Sequence, residues 1–343
     1  MRHSNPFRVL LLTGRMGGHW RSARIMFWVG LLLPHGVGAQ IGVGQWQDQP
    51  NLTKCQAVAA AEGAPIALVA GETALFAVGL DQAGRSNGEI QRFGKSDGLS
   101  RAEISALVLA PEWGRAVVGY DEGTFDLVDM DVDGTLGSVL SVRDLAEADL
   151  PGNKRPRALV VVSDRLLVCT DIGVVEYDLQ ALEVRDTWKL ESAGQSLAVR
   201  DVAFRAGRWW LATSEGVWSA PSDAAFPGNP ATWVQDAELA ALGVVDVYGI
   251  EVHSSGRIAV LERRSDASDA LWMGDPGSTG WLESTAALSE EWTGLYSDGN
   301  RLWATTPFAV MEFDDAWMPA EIRTAAGSFF LQPNGAAAGA GGL

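Results

Sequence analysis

The feature that most limits what this chain can fold into is a phrase that repeats along it. Its clearest copy runs from Asp97 to Asp126, DGLSRAEISALVLAPEWGRAVVGYDEGTFD. A turn at Asp97-Gly98-Leu99-Ser100 leads into an apolar strand, Ile104 to Leu109. A second turn, Pro111 to Gly114, gives a second strand, Arg115 to Tyr120, and the acidic turn Asp121-Glu122-Gly123 opens a third at Thr124-Phe125. Short apolar runs punctuated by Gly and Asp are the mark of successive hairpins. Five further copies lie at Ala57 to Val78, Ala158 to Asp178, Val199 to Ala220, Val247 to Met273 and Trp292 to Asp314. Aligned on Leu75, Thr124, Val174, Val217, Leu271 and Ala309, they step by 49, 50, 43, 54 and 38 residues. That matches the ~40–50 residues of a four-stranded propeller blade.

The expected fold is therefore all-β, a β-propeller of four-stranded blades over residues 40–326. Six blades are recognisable. Blade one has its outer strand at Glu89 to Phe93 and blade two at Ser138 to Val142. Blade three spans Pro156 to Leu190, blade four Ala198 to Val234, blade five Val244 to Glu283 with a polar insertion at Arg263 to Asp269, and blade six Trp292 to Arg323. Only Asp144 to Leu150 and Ala237 to Leu242 have room for a helical turn or two. After Phe329-Phe330-Leu331 the chain becomes Gly- and Ala-rich, so 327–343 reads as a tail. We expect a piece of a seven-bladed ring that stops just inside the next repeat, with a six-bladed ring as the alternative. Ile41 to Gln49 reads as a lone strand that helps to close the ring, with Trp46 beneath the last blade; closure removes exposed strand edges.

Residues 1–39 read as a signal peptide: Arg21 and Arg24 precede the apolar run Ile25 to Leu33, and Val37-Gly38-Ala39 supplies small residues for cleavage. The run is short for a membrane span, and the expected location is outside the cytoplasm, at the cell surface, the outer membrane or in the periplasm. Without these residues the chain keeps 21 basic and 43 acidic side chains, a net charge of −22. Such a surface repels nucleic acid and anionic headgroups. Export would permit a disulfide between Cys55 and Cys169, but a whole blade separates them, so both read as small core residues. The twelve Trp of the mature chain fall at similar places in successive repeats and read as filling between blades rather than as a carbohydrate platform.

Catalytic signatures are sparse. His253 is the one histidine outside the leader, and its polar turn reads as surface, so Ser-His and Cys-His nucleophile systems are not expected. Zinc sets, a Walker loop and a dinucleotide fingerprint are not found either. Carboxylates remain, yet most stand in turns and no pair is marked. Asp129, Asp131 and Asp133 have the D-x-D-x-D-G spacing of a calcium loop. Its twelfth position is Leu140, which cannot give the bidentate carboxylate, so the run reads first as a turn and only weakly as a calcium site; no other cofactor is expected.

The DGLS phrase, its ten-residue apolar strand and the ending Ser214-Glu215-Gly216-Val217-Trp218 resemble the repeat of two-component-regulator-type propellers. The opening Ile41-Gly42-Val43-Gly44-Gln45-Trp46-Gln47-Asp48, with Lys95 to Ser100 after a first blade, resembles the N-terminal propeller of PorZ-type proteins of the Bacteroidota type IX secretion system. The resemblance covers about residues 37–326. It implies a non-enzymatic, surface-exposed scaffold with partners in the secretion apparatus, one that assists the sortase attaching cargo to anionic lipopolysaccharide, with glycan contact in the full-length protein. Gln47 and Gln49 depart from the more basic or His-containing stretch of that family, and its second propeller and C-terminal domain are not in this sequence. The rival readings are the extracellular sensor of a two-component regulator and a carboxylate-based glycan hydrolase or lyase.

Overall fold

The structure, a computed structural model, describes residues 55–324 apart from 62, 72, 83–85, 254, 266–268, 276–279, 285–291, 298–301, 307–308 and 314–318. The expected leader 1–39, the Trp46 strand and the tail 327–343 lie outside the described residues, as does the expected seventh blade.

Six antiparallel four-stranded sheets follow one another, each joined in simple meander order. Blade one is Ala57–Ala59, Ile66–Ala70, Ala74–Leu80 and Ser86–Gly94; blade two is Ile104–Ala110, Arg115–Tyr120, Phe125–Met130 and Leu136–Val142. Blade three is Ala158–Val162, Arg165–Thr170, Gly173–Asp178 and Glu183–Trp188; blade four is Val199–Arg205, Arg208–Thr213, Gly216–Pro221 and Val234–Gln235. Blade five is Val247–Val252, Ile258–Glu262, Ala270–Gly274 and Leu282–Glu283; blade six is Gly294–Ser297, Leu302–Thr305, Ala309–Phe313 and Pro319–Thr324. The first strand of every blade packs on the first strand of the next, from blade one through to blade six, so the six sheets are arranged as a propeller. The short helices Asp144–Glu147 and Ala237–Ala241 fall where the sequence leaves room for them, and Asp236 caps the second by accepting from the Glu238 and Leu239 amides at 3.1 and 2.9 Å.

The core is a series of seams between blades. Side chains alternate faces along a strand, so a middle strand feeds two seams at once. Val118 packs with Leu68 and Leu75 of blade one, whereas its neighbour Val117 packs with Leu166 and Tyr177 of blade three. Leu166 faces blade two and Leu167 faces blade four. Trp209 joins Trp188 and Cys169 on one side of its blade, while Trp210 joins Trp272 and Val260 on the other. Leu261 and Met273 meet Leu302 and Met311 in the seam between blades five and six. Because both faces are buried, these strands read as unbroken apolar runs such as LLVC and WWLA rather than as alternating ones. In the seam between blades three and four, Trp188 lies 5.2 Å from Trp209 and 5.6 Å from Trp233, ring centre to ring centre.

The repeated phrase has a physical cause at several of its positions. In the DGLS turn, Asp97 accepts from the Gly94 amide at 2.8 Å, Gly98 takes φ +125°, and Leu99 is buried. Ser100 then reaches into blade two: its amide and hydroxyl donate to the two oxygens of the fully buried Asp126 at 2.8 and 2.7 Å, and the Tyr120 hydroxyl donates to the same carboxylate at 2.7 Å. Burial, followed by the Asp126 charge, pushes the Tyr120 phenol well above its ordinary range. In the T-x-x-G turns, Thr170 donates to the Gly173 carbonyl at 2.9 Å and accepts from the Ile172 amide at 3.2 Å; Thr213 repeats this with Gly216 and Glu215 at 2.8 and 3.1 Å. Gly173 has φ +121°, and a Cβ there would stand 2.2 Å from the Trp188 carbonyl oxygen.

Two expectations follow. Asp126→Ala leaves the Ser100 and Tyr120 donors unmatched in a dry site and should lower unfolding free energy by about 3 kcal/mol in chemical denaturation, with Ser100→Ala costing roughly 1 kcal/mol. Gly173→Ala should lower the melting temperature well beyond the effect of Gly194→Ala, a site with positive φ but no neighbour within 4 Å of the added Cβ.

Candidate functional site

The first strands of all six blades line a central cavity of about 280 Å³. A strand at the axis turns one face to this space and the other to its neighbours, so polar residues on the axial face have water and one another for company. Three of these strands carry a register irregularity close to the same place, at Ile104/Ala106, Val199/Asp201 and Val247/Gly249. Such bulges re-aim side chains. In blade four the bulge brings Asp201 to the cavity, and in blade five Tyr248 and Glu251 line the same space.

Asp201 is held by backbone alone. One oxygen accepts from the Val202 amide at 2.9 Å, and the other crosses to blade five to accept from the Ile250 amide at 3.0 Å. It is partly exposed to the cavity yet surrounded by protein, and this desolvation pushes its carboxyl up to about 7 against the two favourable amide contacts. Glu251 stands one residue beyond Ile250. Burial first, and the Asp201 charge second, push it up to about 8. Across the seam, burial and then Asp201 also raise the Cys169 thiol. Arg157 is the one cation among the described lining residues, and its fork is already engaged by Asp171 at 2.8 and 3.0 Å. Arg200, beside Asp201 in sequence, pairs with Asp246 at 2.6 Å, and burial lowers its guanidinium below the usual value. The Tyr248 hydroxyl donates to the Trp292 carbonyl at 2.6 Å and stands 2.8 Å from an Asp269 oxygen, and Arg263 stacks on its ring at 4.7 Å.

The residues singled out from sequence lie elsewhere. Asp129 is the penultimate residue of the third strand of blade two, paired with Arg115 at 3.5 Å and bonded by Ser138. The Asp131 amide and carbonyl close the turn onto Thr135 and Gly134 at 3.0 and 2.9 Å, and Asp133 accepts from the Thr135 amide at 2.9 Å, a bond that holds its carboxyl below the usual range. Among the described residues, no group of three or more His, Cys, Asp or Glu side chains is arranged to hold a metal ion. Cys55 and Cys169 are not joined in a disulfide; Cys169 is a buried core residue as expected, whereas Cys55 is only partly buried. His253 corrects the sequence reading: it is buried rather than on the surface, because the turn folds back so that Ser255 stands 2.8 Å from its Nδ1 and the Ser255 amide donates to that nitrogen at 3.1 Å. Trp188, Trp209, Trp233 and Trp272 are buried in seams, as expected of filling. Asp201 and Glu251 are the residues that sequence reasoning missed; the signal was a carboxylate set inside an apolar strand, in VRDVAFR and YGIEV, instead of in a turn.

Residues 68–233 match the family model of the type IX secretion (TSS9) PorZ N-terminal β-propeller domain. The matched stretch runs from the second strand of blade one to just before the last strand of blade four. The structure of PorZ, a surface component of the type IX secretion system of Porphyromonas gingivalis, superposes with a TM-score of 0.64 at 16% identity, over 86% of this chain and 35% of that one. Raptor of Chaetomium thermophilum superposes with a TM-score of 0.59 at 12% identity, over 84% of this chain and 26% of its own. At these identities the likeness is one of fold, and the chain spans about a third of the length of the PorZ structure (35%). No curated protein sequence matches the chain. Among the described residues, no helix is long and apolar enough to cross a membrane.

The turn geometry at Asp129 to Gly134 sets an expectation for metal. With Asp129 taken up by Arg115 and Ser138, and Asp133 by its own turn, millimolar calcium should leave the melting temperature within about 1 °C of that in EDTA; a saturable rise would assign a bound ion there.

Proposed function

We propose that the chain is a non-enzymatic scaffold of a Bacteroidota type IX secretion system, exported to the cell surface, where it works through protein partners. The observation that carries this reading is the match of residues 68–233 to the PorZ N-terminal propeller domain, and the shared propeller fold is consistent with it. In this reading the propeller supports the sortase step that joins cargo to anionic lipopolysaccharide, and any glycan contact belongs to the full-length protein. An in-frame deletion of the gene in its source bacterium should leave type IX cargo unsecreted or unattached at the surface, with restoration by the full-length gene. Normal cargo attachment in the deletion strain would reject the proposal.

The cavity favours one second reading enough to test it. Asp201 and Glu251 are two carboxyls facing one space, the raw material of glycoside hydrolysis. That chemistry needs one of the pair ionised as nucleophile or base while the other stays protonated. Here both oxygens of Asp201 already accept from backbone amides, which favours the scaffold role. Purified protein should therefore release no reducing sugar from bacterial polysaccharides; turnover lost in Asp201→Asn would reverse the assignment.

A further inference from the structure

We propose that Asp201 and Glu251, two carboxyls lining the central cavity, make the joint between blades four and five responsive to pH around neutrality. The argument begins with geometry. Asp201 belongs to blade four but accepts from the Ile250 amide of blade five at 3.0 Å, so this one carboxyl spans the seam. Glu251 is the next residue along, lines the same cavity, and is raised in part by the Asp201 charge.

The groups around them do not neutralise the pair. From blade three come Cys169, an uncharged buried thiol, and Arg157, whose fork is held by Asp171. From blade four comes Arg200, paired with Asp246. Blade five adds Tyr248, held by Asp269 and Trp292, and blade six adds Tyr296; the lining from blades one and two includes Gln56 and Ser105 and no charged side chain. Two carboxylates lining one cavity whose described cation is already engaged repel each other, and the least costly relief is to keep a proton. At mildly acidic pH both carboxyls are neutral and the joint carries no charge. As pH rises, protons leave to solvent, first from one group and then from the other, until two negative charges straddle the seam.

The sign of the linkage follows. Unfolded Asp and Glu lose their protons near pH 4, whereas the folded groups hold theirs to about 7 and about 8. Between these limits the folded state binds more protons, so stability falls as pH rises and levels off above about pH 8. Each retained proton multiplies the unfolding constant about tenfold per pH unit in that window.

The test is chemical denaturation of the whole protein from pH 5 to 9, beside Asp201→Asn and Glu251→Gln. The wild type should lose stability steadily up to about pH 8, and either variant should lose roughly half of that slope. Equal slopes in wild type and variants would overturn the proposal. A second measurement does not depend on the variants folding: difference infrared spectroscopy of the wild type should show a protonated carboxyl band at pH 6.5 that bleaches by pH 9. Absence of that band at pH 6.5 would overturn it as well.

Discussion

Everything in this propeller depends on the seam, the apolar packing of one four-stranded sheet against the next. A sheet this small has two faces and almost no interior of its own, so it becomes stable only when both faces are covered by neighbours. The middle strands accordingly carry large apolar side chains on both sides. The five seams from blade one to blade six contain nearly all of the buried bulk, including the Trp188, Trp209 and Trp233 cluster. Turns, caps and the axial cavity are what this packing leaves over.

Several carboxylates are buried between or within the blades with their bonds completed. Asp126 satisfies three donors from two parts of the chain. Glu176 is buried against Arg165 at 3.3 Å and Arg185 at 3.6 Å and also accepts from the Trp188 indole at 3.1 Å. Glu262 does the same with Arg264 and Trp272, at 3.1 and 2.9 Å. Each of these carboxylates ties a strand to another part of its blade, so burial of charge here is coupled to a particular registration of strands. Asp201 and Glu251 differ because the cavity gives them room, while its described cation, Arg157, is engaged by Asp171.

The fold was legible because its constraint is periodic. Gly and Asp turns recur at each hairpin, and the strand limits read from them, such as Arg115 to Tyr120, agree with the structure. Even the two helical turns fall inside the stretches read for them, Asp144 to Leu150 and Ala237 to Leu242. The cavity was not legible, for two physical reasons. Which residues of a first strand face the axis depends on bulges at Val199/Asp201 and Val247/Gly249, and a one-residue irregularity leaves no trace in composition. Asp201 and Glu251 also come to one cavity from 50 residues apart in the chain, a proximity that exists only after two blades have docked. His253 departs from its expected exposure for a related reason: bonds within its own turn, to Ser255 and the backbone, allow a polar turn to be buried.

The alternation of faces has a consequence for how such a chain can change over time. Trp209 and Trp210 are adjacent in sequence, yet one answers to blade three and the other to blade five. Trp188 and Trp209 are 21 positions apart and share a single packing problem. Substitutions that compensate one another should therefore be found a fraction of a blade or a whole blade away, and seldom at the next residue. A propeller of this kind evolves as a set of parallel ledgers, one for each seam, and every middle strand is written in two of them at once.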